Sequence, residues 1–345
     1  MPNVHVPLIP DAARRLSAAA FIASAVATIA LTALTALGAR SWIDQPFAGF
    51  FLRADRTVAA VGRNAWTDVA ARDLYDRTLL AVDGRRIADA DALHRRVAAK
   101  PIGSPLTYTV TDGTTVETVT VRSRRFSAAD YWAVFGAYAG TGLCWLLLAI
   151  AAAWTLPSER IGRALLLLGG VGGVYMLTAA DLYPPAGSLR MHVLAAALLP
   201  AALLQFALAV GDARGRFAAG TLPVVWAASL AAAASLQLAI GDPAATRVAH
   251  ATCDAALGLA LVSATIGLAA RVRLAKPGAP LVAATALVGL GLPAVVFLLA
   301  GIVGNVPHNA SATLAFLFPL GMSAALWRRD LPLAARDVAR SHRSL

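Results

Sequence analysis

Eight apolar runs, each near the length that crosses a bilayer, divide this chain, and one long polar stretch lies between the first run and the second. The runs are residues 18–37, 131–154, 164–180, 193–210, 222–240, 249–270, 280–303 and 312–327. A hydrocarbon core takes about 20 helical residues to span, and a helix satisfies its own backbone groups where lipid cannot. The pattern predicts eight transmembrane helices, with both chain ends on one side. The third run is among the shortest, and Asp181 and Tyr183 behind it would complete it at the interface. With 58% of 345 residues apolar and 14% charged, a soluble fold could not cover this much apolar surface. Residues 18–37 are too long for a signal-peptide core and read as a retained helix.

A net charge of +11 would fit a nucleic-acid binder if basic residues formed a stripe among stacking aromatics. Instead they cluster at the ends of the runs, so nucleic acid is rejected as a partner. One set of connections carries Arg160 and Arg163, Arg214 and Arg216, then Arg271, Arg273 and Lys276, and the C-terminal tail on that side adds five more arginines. The opposite set holds only Arg190 and Arg247. Positive charge stays on the cytoplasmic side. The expected order is therefore a cytoplasmic tail (1–16), helix 1 (17–38), an extracytoplasmic domain (42–126), seven helices (129–327) and a basic cytoplasmic tail (328–345). Cys144 and Cys253 fall inside runs and read as small apolar fillers. No cysteine or histidine spacing suggests a metal, and no cofactor is expected.

The polar insert is patterned like a folded domain. Phe50-Phe51-Leu52 and Thr57-Val58-Ala59-Ala60-Val61 read as strand, turn and strand, and residues 67–73 as a short helix. Leu79 to Val82 read as a buried strand entering an Asp83-Gly84 turn. Residues 89–99 suit a helix with Leu93 and Val97 on one face, and 106–111 with 116–121 suit a hairpin. This order, with Phe47-Ala48-Gly49-Phe50 and Leu80-Ala81-Val82-Asp83-Gly84, resembles a bacterial PDZ domain. Ala71-Arg72-Asp73-Leu74 departs from that family's small-residue segment. The resemblance implies an α+β fold and a peptide groove at Gly49, Phe50, Phe51 and Leu52, where a peptide would add as a strand. The other reading is that the same residues fill the domain core or pack on the membrane surface.

Residues 131–327 more loosely resemble the multi-helix input region of bacterial membrane sensor histidine kinases. The carrying segments are Leu177 to Tyr183, Leu198 to Leu208, and Phe318-Pro319-Leu320 before Leu326-Trp327-Arg328-Arg329. The resemblance implies an input module, here with no kinase domain following it. Ionisable residues inside lipid are costly and mark functional positions. Asp181, Tyr183, His192, Arg247, His250 and Asp254 share one extracytoplasmic level with His308, so a bundle could gather them into an outward-facing pocket around Asp254. Pairing of Asp254 with Arg247 or His250 for packing alone is the other reading. Gln205 and Gln237 suit interhelical hydrogen bonds, and the pairs Gly136/Gly140 and Gly169/Gly173 suit close crossings.

No His-Glu-x-x-His, Gly-x-Ser-Gly, P-loop or dinucleotide fingerprint occurs, so no enzyme is expected. The fold expected is an all-α polytopic membrane bundle of eight transmembrane helices with an inserted extracytoplasmic α+β PDZ-like domain between helices 1 and 2. The function expected is a bacterial inner-membrane signal receptor. It would bind a peptide, envelope protein or small ligand outside and relay to a cytoplasmic partner such as a separate kinase or cyclase. The alternative is a non-catalytic accessory subunit of a larger membrane complex, with a protein partner in the periplasm or membrane.

Overall fold

The computed structural model describes residues 40–53, 55–63, 66, 74–156, 160–179, 188–210, 216–240, 242–274, 280–303 and 309–326. From the first apolar run it describes Ala23, Val26, Ile29, Ala30 and Ala33, all helical and exposed. The expected short helix at 67–73 lies outside the described residues, as do Asp181, Tyr183 and His308.

The insert is a small α+β unit. Its strands are β1 (Pro46–Phe47), β2 (Thr78–Val82), β3 (Arg85–Arg86), β4 (Pro105–Thr111), β5 (Val116–Arg122) and β6 (Arg124–Arg125), with helix α1 (Ala90–Ala98) after β3. β3, β2, β4 and β5 form an antiparallel sheet in that order, and β1 pairs with β6. Asp83 and Gly84 both have positive φ (49° and 75°), which a two-residue hairpin turn with the right twist requires. Asp89 caps α1 by accepting from Ala92 N at 2.7 Å, satisfying a donor the helix itself cannot. Along β4, Leu106, Tyr108 and Val110 are fully buried while their neighbours face out, the period of two that lets one strand face supply a core.

The helical part contains α2 (Ala128–Thr155), α3 (Arg160–Ala179), α4 (Leu189–Val210), α5 (Arg216–Ala239), α6 (Pro243–Leu274), α7 (Pro280–Val303), α8 (Asn309–Leu314) and α9 (Leu317–Leu326). α2 through α6 are long and apolar enough to cross a membrane, and shorter apolar stretches occupy Ala284–Leu299 and Leu317–Leu326. By that length and composition the chain is a multi-pass membrane protein. Trp132 and Trp154, at the two ends of α2, are highly exposed (68% and 85%). At 1.5 Å per residue they stand about 33 Å apart, the interval between the aromatic belts of a membrane-spanning helix.

The helices close on themselves. α2 packs on α3, α3 on α4, α4 on α6, α6 on α7, α7 on α8 and α8 back on α2. α5 lies outside this ring against α4 and α6, which explains why its apolar window is the least buried (17%). Close crossing of α2 and α3 depends on glycine. A Cβ on Gly169 would come within 2.8 Å of Trp145 O, and one on Gly173 within 2.6 Å of the Leu146 side chain. Gly136 and Gly140 make no such crossing: a Cβ on Gly136 meets the Trp132 ring of its own helix, and Gly140 faces open space. The two glutamines bridge helices as expected. Trp226 Nε1 donates to Gln205 Oε1 at 2.8 Å, and Gln237 Nε2 donates to Arg190 O at 2.8 Å. The last apolar run is interrupted at Ala315 and Phe316, between α8 and α9, and Trp145 Nε1 donates to Ala315 O at 3.0 Å.

Candidate functional site

The insert sits on the end of the ring where α2 begins and α3 ends. Its contact is an aromatic layer in which Trp42, Phe47, Phe51, Trp66 and Phe126 pack with Phe135 of α2 and Ala179 of α3. Phe51 joins this layer, while its neighbours Phe50 and Leu52 turn the other way into the insert's own core. Alternation along an extended segment thus lets three consecutive residues serve two cores.

Below that contact, inside the ring, is a cavity of about 180 Å3. Every ring helix, α2, α3, α4, α6, α7 and α8, contributes to its wall, α5 does not, and the insert closes it with Arg53, Asp55, Ala60 and Val61. Arg53 and Asp55 belong to a tight turn: Arg53 N donates to Thr57 O and Arg56 N to Arg53 O, both at 2.9 Å, with Arg56 at a φ of 64°.

The wall is graded along the ring axis. Near the insert it presents His192 of α4 and Thr246, His250 and Asp254 of α6; deeper it presents Leu203, Leu257, Leu261 and Leu290, with Trp145. Residues 246, 250, 254, 257 and 261 are spaced by four, four, three and four, so one helical stripe carries the change from polar to apolar. Beyond Leu203 and Leu261 the ring is filled, with Phe206 and Phe318 fully buried against each other at 5.3 Å between ring centroids.

The polar end is rich in acceptors. Asp55 is 3% exposed, and among the described residues it takes one hydrogen bond, from Thr57 N to Oδ1 at 2.9 Å. Thr178 Oγ1 donates to Val174 O at 2.6 Å and lies 3.2 Å from His192 Nδ1. Tyr175 stacks on His192 at 4.7 Å. Thr246 Oγ1 gives its proton to Ala239 O at 2.8 Å. Asp254 is exposed and, among the described residues, forms no ion pair with Arg247 or His250, although His250 lies within electrostatic reach of both Asp254 and Asp55.

Of the residues expected from sequence to form an outward pocket, His192, His250 and Asp254 meet in this cavity. Arg247 does not line it: one residue from Thr246, it falls off the stripe and is exposed. Sequence reasoning missed Arg53 and Asp55. Their signal was a charged tip, Arg53 to Arg56, between two buried apolar segments, which is costly to bury without a function or a partner.

The residues expected to form a peptide groove are all buried. Gly49 has a φ of 88°, a conformation that a side chain would strain. Phe50, Phe51 and Leu52 border a cleft of about 20 Å3 against Leu93, His94 and Val97 of α1. Trp42 also borders that cleft and stacks on His94 at 4.5 Å between centroids.

No protein-family model matches the chain, no curated protein matches it in sequence, and no solved structure matches it in fold.

Proposed function

We propose that this protein is a receptor of the bacterial inner membrane that binds a small ligand in the ring cavity and uses the insert to register occupancy. One observation carries this reading: among the described residues, the wall of the cavity is shared between the insert and six helices. A ligand there touches both parts at once, and the free energy it gains depends on how they sit against each other. In this reading the chain has eight spans, the PDZ-like insert is periplasmic and both termini are cytoplasmic, as the arginine distribution favours. The change in the insert and ring passes to a separate cytoplasmic partner, such as a kinase or cyclase. The volume supports a small-molecule site, since an engineered apolar cavity of roughly 150 Å3 takes up benzene.

The test is purification from native membranes in mild detergent, followed by native mass spectrometry of wild type and Asp254→Asn. A bound small molecule on the wild type, weakened in the folded variant, is the expected result. An empty protein recovered in stoichiometric association with a large assembly would replace the receptor by an accessory subunit.

A further inference from the structure

The polar end of the cavity mixes donors and acceptors: the Arg53 guanidinium and the Tyr138 and Tyr175 side chains line it beside Asp55, Asp254, His192, His250 and Thr246. The Oδ2 atom of Asp55, the Asp254 carboxylate and the Thr246 hydroxyl oxygen remain able to accept. The Asp55 bond occupies only Oδ1, and the Thr246 proton is already committed to Ala239 O. Two carboxylates face one guanidinium, and Arg53 is drawn toward Asp76 on the insert, 3.8 Å away. The floor is apolar, closed by Trp145 and leucines. Carboxylate charge exceeds guanidinium charge at this end, which favours a molecule with a cationic, donating head and an apolar tail.

We infer that the ligand is a single-chain amphiphile with a cationic amine head, held between Asp55 of the insert and Asp254 of α6, its alkyl tail reaching the floor at Trp145. This rests on the receptor reading of the cavity and adds the ligand's chemical class. The two carboxylates come from the two parts that must be coupled. An ammonium has three donors and no acceptor, so it can bond both and draw the insert onto the ring. A carboxylate head would meet two like charges against the single opposite charge of Arg53, a net repulsion in a partly desolvated site.

Trp145 supplies the readout. The full-length protein is reconstituted in nanodiscs of zwitterionic lipid, and its fluorescence is titrated with an ω-bromoalkylamine and with the bromoalkanol and bromoalkanoic acid of equal chain length. The bromine quenches an indole that it reaches. The expected result is saturable quenching by the amine that disappears in Trp145→Phe. Half-saturation should move up at least about tenfold for the alcohol, for the acid, and for the amine in Asp254→Asn, the size of one charge-assisted hydrogen bond. Asp55→Asn retains an oxygen for Thr57 N and carries the same test if Asp254→Asn does not fold. Equal saturable quenching by all three compounds would overturn the amine head while leaving a ligand cavity. Quenching that rises linearly with every compound and is unchanged in Trp145→Phe would overturn the cavity site and the receptor reading with it.

Discussion

Arg63 Nη1 donates to Asp130 Oδ1 at 2.8 Å, joining the insert to the first turn of α2 across 67 positions of chain. The same oxygen accepts Trp66 Nε1 at 3.1 Å, while Oδ2 accepts Ser127 N and Oγ at 2.8 and 2.7 Å. Asp130 is 3% exposed, so the joint works in a setting where a lost partner leaves a desolvated group behind. A π turn, Trp132–Gly136, follows immediately, a geometry enriched at functional positions.

Asp130→Ala should therefore loosen the insert from the bundle. Removing the carboxylate strands the Trp66 and Ser127 donors and should cost about 2–3 kcal/mol. Trypsin applied to spheroplasts should nick the variant faster than wild type at Arg63, and thermal unfolding in detergent should begin earlier. Unchanged cleavage and melting would mean that the aromatic layer alone holds the two parts.

Gly169 and Gly140 make a matched pair. Gly169→Val forces a side chain against Trp145 O and the Ala149 backbone and should destabilise by about 1–3 kcal/mol. Gly140→Ala, which meets open space, should be neutral or slightly stabilising, because alanine favours a helix. Melting midpoints of the two variants in one detergent check this contrast.

A peptide that added beside Phe50–Phe51–Leu52 would compete with Trp42 for the small cleft that they share. Trp42→Ala should raise the affinity for peptides with a free C-terminal carboxylate at least about tenfold, read by fluorescence anisotropy. The cost is lost packing of about 3–5 kcal/mol. Absence of peptide binding in both proteins would give residues 49–52 a packing role alone.

The same stack predicts a pH response. Burial under Trp42 lowers the proton affinity of His94; Asp91 opposes this and Arg95 adds to it. The unfolded chain therefore binds this proton more readily than the folded one. Stability from His94 is complete above the ordinary imidazole value of 6.5 and declines as pH falls below it. The melting midpoint should drop between neutral pH and about 5.5, and His94→Gln should flatten that drop. Asp83 and Asp112 act in a lower window. Partial burial of Asp83 favours its neutral form, but Lys100 and the Thr107 N–H outweigh it, and Thr115 and Thr114 N–H groups hold Asp112 down. Both carboxyls thus contribute fully above the ordinary carboxylate range and lose that contribution as pH falls below it toward their lowered folded values.

Composition and run length already determined that lipid is the solvent for most of this chain, because apolar segments of about 20 residues have no other stable setting. Local pattern determined much of the insert as well: the Asp83-Gly84 turn, the Asp89 cap and the alternation along β4 are short-range effects, decided within a few residues. It also placed His192, His250 and Asp254 at one level, since level follows from position along each helix. Tertiary structure alone decided which of the described helices close the ring and that α5 stays outside it, because apolar faces of nearly uniform hydrophobicity carry little information about their partners. It likewise decided that Arg53 and Asp55, some two hundred positions from Asp254, complete the same cavity, and that Arg247 turns away from it. Those outcomes depend on close packing between distant segments, which a single sequence does not encode in any local pattern.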